Sequence, residues 1–164
     1  MKSHLIKPLI AIIALMLADQ TSKQAIVIMF DYGQGVTMNA FLNIVRVHNY
    51  GAAFSFLSDA GGWQHYFFTV LGVVASAFMA VWAWRSPKEP RLVWALTLII
   101  AGALGNVIDR LRFGYVVDFV DVHWGTMHWP AFNVADSSIC IGAALLIADE
   151  IIKARAVKAA KQKS

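Results

Sequence analysis

The chain has 164 residues, of which 59% are hydrophobic, with a mean hydropathy of +0.59; soluble domains sit near about 45–50%, so an ordinary water-soluble fold is excluded. The length fits one unit, a single membrane domain over residues 1–164, with nothing that marks a second. The formal charge of +4 would suit a nucleic-acid binder, but ten of the fourteen Lys and Arg (Lys2, Lys7, Arg85, Lys88, Arg91, Lys153, Arg155, Lys158, Lys161 and Lys163) lie at the chain ends and in one short loop, where they read as topology signals.

A bilayer core takes about 20 mostly apolar residues per helix, and four segments qualify. The first, 8–30, has a basic start like a secretion signal. Asp19 and Lys23 interrupt it, and no small-x-small site follows, so it reads as an uncleaved span. These two residues are spaced i,i+4 and share one helix face; a structural ion pair is the expectation. Residues 31–65 are too polar and Gly-rich to span. Within them Phe41–His48 is rich in β-favouring residues, with Gly33 and Gly35 before it and Gly51 after it. That pattern predicts a small sheet on the membrane surface, and Gly61-Gly62-Trp63 a turn into an interfacial anchor. The second span, 66–84, carries no charge.

The third span, 92–113, gathers its polar residues late. Asn106, Asp109 and Arg110 are spaced i,i+3,i+4 and share a face, and Gly102 and Gly105 allow close helix approach. Residues 114–130 read as an external loop in which Asp121 and His123 need no special role. The fourth span, 131–152, opens with Asn133 and Asp136. It also holds Cys140, the single cysteine, so no disulfide framework exists; a buried structural thiol is expected. The tail Lys153–Ser164 reads as a basic end facing solvent or lipid headgroups.

Short basic segments stay in the cytoplasm, which places both termini and the 85–91 loop inside and residues 31–65 and 114–130 outside. Trp63, Tyr66, Trp82, Trp84, Tyr115, Trp124 and Trp129 then fall near span ends, as interfacial aromatics do. All three polar clusters fall in the outer half of the membrane. Carboxylates there are costly and usually functional. Asp118, just past the third span, and Asp136, at the start of the fourth, are eighteen residues apart and bracket one loop. Two close carboxylates can share a proton, which is the layout of an aspartic hydrolase. Competing structural roles exist: Asn133 can be only a helix cap, and Asp109–Arg110 only a helix-end pair. Neither the scattered His48, His65 and His128 nor any G-x-S-x-G elbow offers other chemistry.

Five motifs occur in order: Asp19-Gln20-x-x-Lys23, Asn49-x-Gly51-Ala52-Ala53-Phe54, Gly102-x-x-Gly105-Asn106-x-x-Asp109-Arg110, Val116-Val117-Asp118-Phe119 and Phe132-Asn133-x-Ala135-Asp136. Each is short, but together on four spans they resemble the bacterial lipoprotein signal peptidase (type II signal peptidase) family over nearly the whole chain. The resemblance implies Asp118 and Asp136 as a catalytic dyad. It implies Asn49, Gly51, Asn106, Asp109, Arg110 and Asn133 as substrate-binding or dyad-supporting residues, and a surface sheet over 31–57 that cradles substrate. It implies diacylglyceryl-modified prolipoproteins as substrates, cut just before the lipidated cysteine, and sensitivity to globomycin-type inhibitors. We further expect no metal, cofactor or nucleic acid, contact with membrane lipids, and a monomer in the bacterial inner membrane with its site toward the periplasmic face. Two rival readings remain at this point. A proton-coupled transporter would need ionisable groups in the inner half as well, and a non-enzymatic scaffold would tolerate Asp→Asn at 118 and 136.

Overall fold

The computed structural model describes residues 3–51 and 62–162. A single 3-10 turn, Ser3–Leu5, leads into α1 (Ile6–Met29). Then follow β1 (Gly35–Asn39), β2 (Leu42–Asn49), α2 (Gln64–Arg85), α3 (Pro90–Phe113), β3 (Val116–Trp124), β4 (Met127–His128) and α4 (Val134–Lys161). The motif residues Ala52, Ala53 and Phe54, the expected cradle beyond residue 51, and Gly61, Lys2 and Lys163 lie outside the described residues.

α3 is the central helix, packed against α1, α2 and α4. Pro90 occupies its first turn, where the missing N–H costs nothing. Gly114 ends it at φ 78°, donating its N–H to the Arg110 carbonyl, the left-handed stop that glycine makes without strain. The outer helices are built inside out. α2 buries Gln64, Ser76 and Ala83 while Phe67, Val70, Val73, Val74 and Phe78 are exposed. α1 buries Asp19 and Lys23 and exposes Leu9, Ile10, Ile13 and Leu17. A helix apolar all round that turns its polar groups inward is suited to hydrocarbon rather than water. By length and composition α1, α2 and α3 can each cross a membrane. α4 is longer, at 28 residues, and adds Asp136, Asp149, Glu150, Lys153 and Arg155 to its apolar run. It begins at 134 rather than 131 and continues past 152.

The four strands form one antiparallel sheet in the order β1-β2-β3-β4. The expected strand at 41–48 is β2. The expected external loop at 114–130 is a correction: most of it is β3, which pairs with β2 from Asn49↔Val116 through Val47↔Asp118 to Leu42↔Val122. Val116, Val117, Phe119, Val120 and Val122 supply the β-branched and aromatic side chains that fit a pleated surface. Ile26, Val117 and Phe119 form a core that seats the sheet on the end of α1, with Phe30, Ile44 and Tyr115 around it. Arg46 of β2 locks the joint by donating to the Phe30 carbonyl at 3.0 Å, a cation on the carbonyl end of a helix.

At the opposite end of the bundle Lys153 pairs with Asp149 at 2.7 Å and with Glu89, while Arg91 approaches Asp149 at 3.9 Å. The start of the basic tail is therefore tied to the α2–α3 loop rather than merely solvated.

Candidate active site

Asp118 lies on β3 and Asp136 at the third position of α4, and one residue touches both. Asn133 is the N-cap of α4, its side-chain oxygen accepting from the Asp136 N–H at 2.9 Å. The Asn133 N–H in turn donates to Asp136 Oδ2 at 3.3 Å, closing a capping box. The same side chain donates from Nδ2 to Asp118 Oδ1 at 2.7 Å. Asn133 is fully buried, so the cap and the bridge are one rigid fitting. Asn49, at the end of β2, donates to Asp118 Oδ2 at 3.1 Å, and Asn106 of α3 donates to Asp136 Oδ1 at 2.8 Å.

A buried ion cluster holds this frame. Lys23 contacts Asp19 at 2.9 Å and Asp109 at 3.1 Å. It donates to Asn106 Oδ1 at 3.0 Å, which leaves the Asn106 amide nitrogen to face Asp136. Asp19 Oδ1 accepts from the Ala135 N–H at 2.9 Å, and Asp109 Oδ2 accepts from the Val117 N–H at 3.1 Å. Residues 135 and 117 each immediately precede one of the two aspartates. The expected Asp19–Lys23 pair is therefore present, but it is part of a clamp that fixes the backbone beside both carboxylates. Buried charges are tolerated when every lone pair and proton is met, and Gln20 meets the remainder by donating to Asp109 Oδ1 at 2.9 Å.

Asp118 is only 2% exposed. Burial, then the neighbouring Asp136 charge, raises its pKa to about 7 against the pull of the Asn49 and Asn133 hydrogen bonds and of Lys23. Near neutrality it therefore holds a proton that an exposed aspartate would have lost.

A cavity of ≈ 590 Å³ opens beside the pair. Its polar end is Asn49, Asn106, Arg110 and Asp136, and its apolar walls come from α2 (Phe68, Leu71) and α4 (Ile139, Ile141). Arg110 donates to the Gly51 carbonyl at 3.0 Å and lies 5.4 Å from the Phe68 ring centre. Cys140 corrects the expectation of a buried thiol. It is exposed and lines the cavity, because α4 turns Ala135, Ser138 and Gly142 inward instead.

All the dyad and supporting candidates thus meet in one site, with Gly51 contributing its carbonyl. Sequence reasoning quoted Gln20 only as part of a motif and gave it no role; its place beside Asp19 was the available signal. It also left Asp121 and His128 unpaired, whereas His128 Nδ1 lies 2.8 Å from Asp121 Oδ1 and Asn43 donates to Asp121 at 2.8 Å. That cluster lies on β2, β3 and β4, away from the dyad.

The chain is similar to known proteins over most of its length. The family model for signal peptidase (SPase) II matches residues 11–152. A lipoprotein signal peptidase of Shewanella woodyi is 52% identical over 141 residues, covering 85% of this chain and 80% of that protein. One of Ralstonia nicotianae is 54% identical over 139 residues, with 85% and 80% covered. Among solved structures, a bacterial membrane enzyme determined by the in meso method at 2.3 Å resolution superposes with a TM-score of 0.77 at 30% identity, covering 90% of this chain and 89% of that one. A second, at 1.9 Å, gives 0.71 at 32% identity over 87% and 91%.

Proposed function

This chain belongs to the signal peptidase II family, bacterial membrane peptidases that remove signal peptides from prolipoproteins, and we propose that it works as an aspartic endopeptidase through Asp118 and Asp136. The observation that carries this reading is the Asn133 bridge, which ties Asp118 to Asp136, the carboxylate that lines the polar end of the cavity. With one proton between them, the ionised member takes a proton from a water, and the protonated member polarises the scissile carbonyl and then protonates the departing amine. The titration belongs to the pair. Asn106, Asn49 and Asn133 orient the carboxylates by donating amide N–H groups to them. Arg110 and the Gly51 carbonyl offer a donor and an acceptor for a substrate backbone.

The substrate of this proposal is a prolipoprotein with a diacylglyceryl-modified cysteine, cut just before that cysteine. An apolar groove between α2 and α4, ending at polar groups, suits a signal helix and lipid that stay in hydrocarbon while the scissile bond meets the carboxylates. Its topology is four spans, α4 being the fourth, with both termini in the cytoplasm of a monomeric inner-membrane protein and the dyad toward the periplasmic face. Membrane lipids surround it, and globomycin-type peptides compete for the cavity. Against a transporter stands the stretch below the site. Residues 92–105 and 137–148 contain no Asp, Glu, His, Lys or Arg, a gap of roughly 20 Å at the helical rise.

The test is cleavage by the purified chain in lipid vesicles, with one prolipoprotein presented with and without its diacylglyceryl group. Mass spectrometry of the products is expected to place the cut immediately before the modified cysteine, in the modified substrate alone. Equal cutting of both forms, or a cut elsewhere, contradicts the assignment.

A further inference from the structure

The β3–β4 hairpin carries an apolar tip that the dyad does not use. Trp124 and Met127 face each other across the turn, each 77% exposed. The turn between them is tight because Gly125 takes φ 59°, a left-handed conformation glycine adopts without strain. Phe41, from the β1–β2 turn, sets its ring 5.4 Å from that of Trp124 at a tilt of 49°, and its carbonyl accepts from the His123 N–H at 2.9 Å. With Val122, His123, His128 and Trp129 these side chains line a groove of ≈ 430 Å³.

Contiguous exposed Trp, Met and Phe mark a contact surface rather than a solvated one. Two observations say which surface. Trp129 lines both this groove and the cavity between α2 and α4, and the chain enters α4 at Val134, so the tip continues the apolar exterior of the helices. Its one acidic side chain among residues 41 and 120–129, Asp121, is already matched by His128 and Asn43, so no unpaired carboxylate meets an anionic lipid surface. Tryptophan rings are most at home in the layer between headgroups and hydrocarbon.

We propose that the β3–β4 tip is an interfacial anchor, with Phe41, Trp124, Met127 and Trp129 seated in the headgroup–glycerol layer of the bilayer. Asp118 lies on the same strand as Trp124, so seating the tip also fixes the height of one catalytic carboxylate relative to the lipid in which the substrate is held. This rests on the membrane placement proposed above, and the experiment reads depth without using cleavage.

Met127→Cys in a Cys140→Ser background, carrying a nitroxide, is reconstituted as the full chain in phosphatidylethanolamine–phosphatidylglycerol vesicles. Collision rates with oxygen and with an aqueous nickel chelate are then compared. An anchored tip gives several-fold more oxygen than nickel contact, at interfacial depth. Free access of nickel overturns the proposal. So does dipolar broadening that fades on dilution with unlabelled chain, which assigns the tip to a second copy, and so does protection that appears only after prolipoprotein is added. Should the labelled variant not fold, quenching by brominated lipid of the Trp124 emission, read as the difference from Trp124→Phe, decides the same question. Absence of cleavage by the unsubstituted chain in the same vesicles counts against the peptidase reading and leaves the anchor standing.

Discussion

Asn133 is one side chain that both caps α4 and holds Asp118. A cap was legible from an Asn three residues before an Asp at the head of an apolar run. The bridge to Asp118 was not, because it needs β3 beside the start of α4. Asn133→Ala removes a buried donor to an aspartate, worth about 1.5–3 kcal/mol; cleavage is expected to fall on the order of 10–100-fold, visible as a lower kcat with near-wild-type KM. Asp118 carries a pH signature. Its pKa moves from 3.8 to about 7 on folding, so the folded chain takes up a proton across that window. Stability is therefore greatest below the lower value and falls as pH rises through the upper one, by up to ~4 kcal/mol. Asp118→Asn removes this dependence. Its melting temperature, relative to the unsubstituted chain, is expected to be higher at pH 8 than at pH 4; an equal difference at both would contradict the buried, proton-holding aspartate. Lys23 is legible as half of an i,i+4 pair with Asp19, but the third member, Asp109, comes from another helix. Lys23→Met leaves two buried carboxylates unmatched and is expected to destabilise by roughly 3–5 kcal/mol, measured by denaturation in mixed micelles.

Helices announced themselves and the strand that carries Asp118 did not. Spans near 8–30, 66–84 and 92–113 are α1, α2 and α3 to within a few residues, since long apolar runs allow little else. β3 lies directly after α3, and Asp118 and Asp121 break its apolar run, which made it look like a polar loop. Its valines, at 116, 117, 120 and 122, are a weak signal until β2 supplies a partner. The glycine reading of α3 went further. A Cβ on Gly102 would overlap the Ala135 carbonyl oxygen and lie 2.7 Å from Ile139 Cγ1, and one on Gly105 would lie 2.8 Å from Asp19 Oδ2. Gly102→Ala must push α4 off α3 and so move Asp136 away from Asn106. It is expected to cost about 1–3 kcal/mol in stability and most of the activity, checked by thermal unfolding and cleavage side by side. Cys140 was misread because an apolar neighbourhood was equated with burial. In a bundle whose apolar side chains face outward, the inward positions on α4 go to Ala135, Ser138 and Gly142.

At the scale of the whole chain, the inverted pattern of α1 and α2 explains why composition spoke so clearly for a membrane and so little for the site. The polar residues that make the site are few and held in the interior, and their partners come from four helices and two strands. Charge at the chain ends also proved structural: Lys153, Glu89, Arg91 and Asp149 clamp the α2–α3 loop to α4 at the end remote from the dyad. The central claim is that Asp118 and Asp136 together cut the substrate. Its most direct test is the single-turnover cleavage rate of a lipid-modified prolipoprotein by vesicle-reconstituted Asp118→Asn and Asp136→Asn, each first shown to melt cooperatively. An amide preserves hydrogen bonding and shape but can neither take nor share the proton. The account predicts that both variants lose at least about 10²–10⁴-fold, the usual worth of positioned acid–base groups; a folded variant of either kind that cleaves at the unsubstituted rate would contradict it.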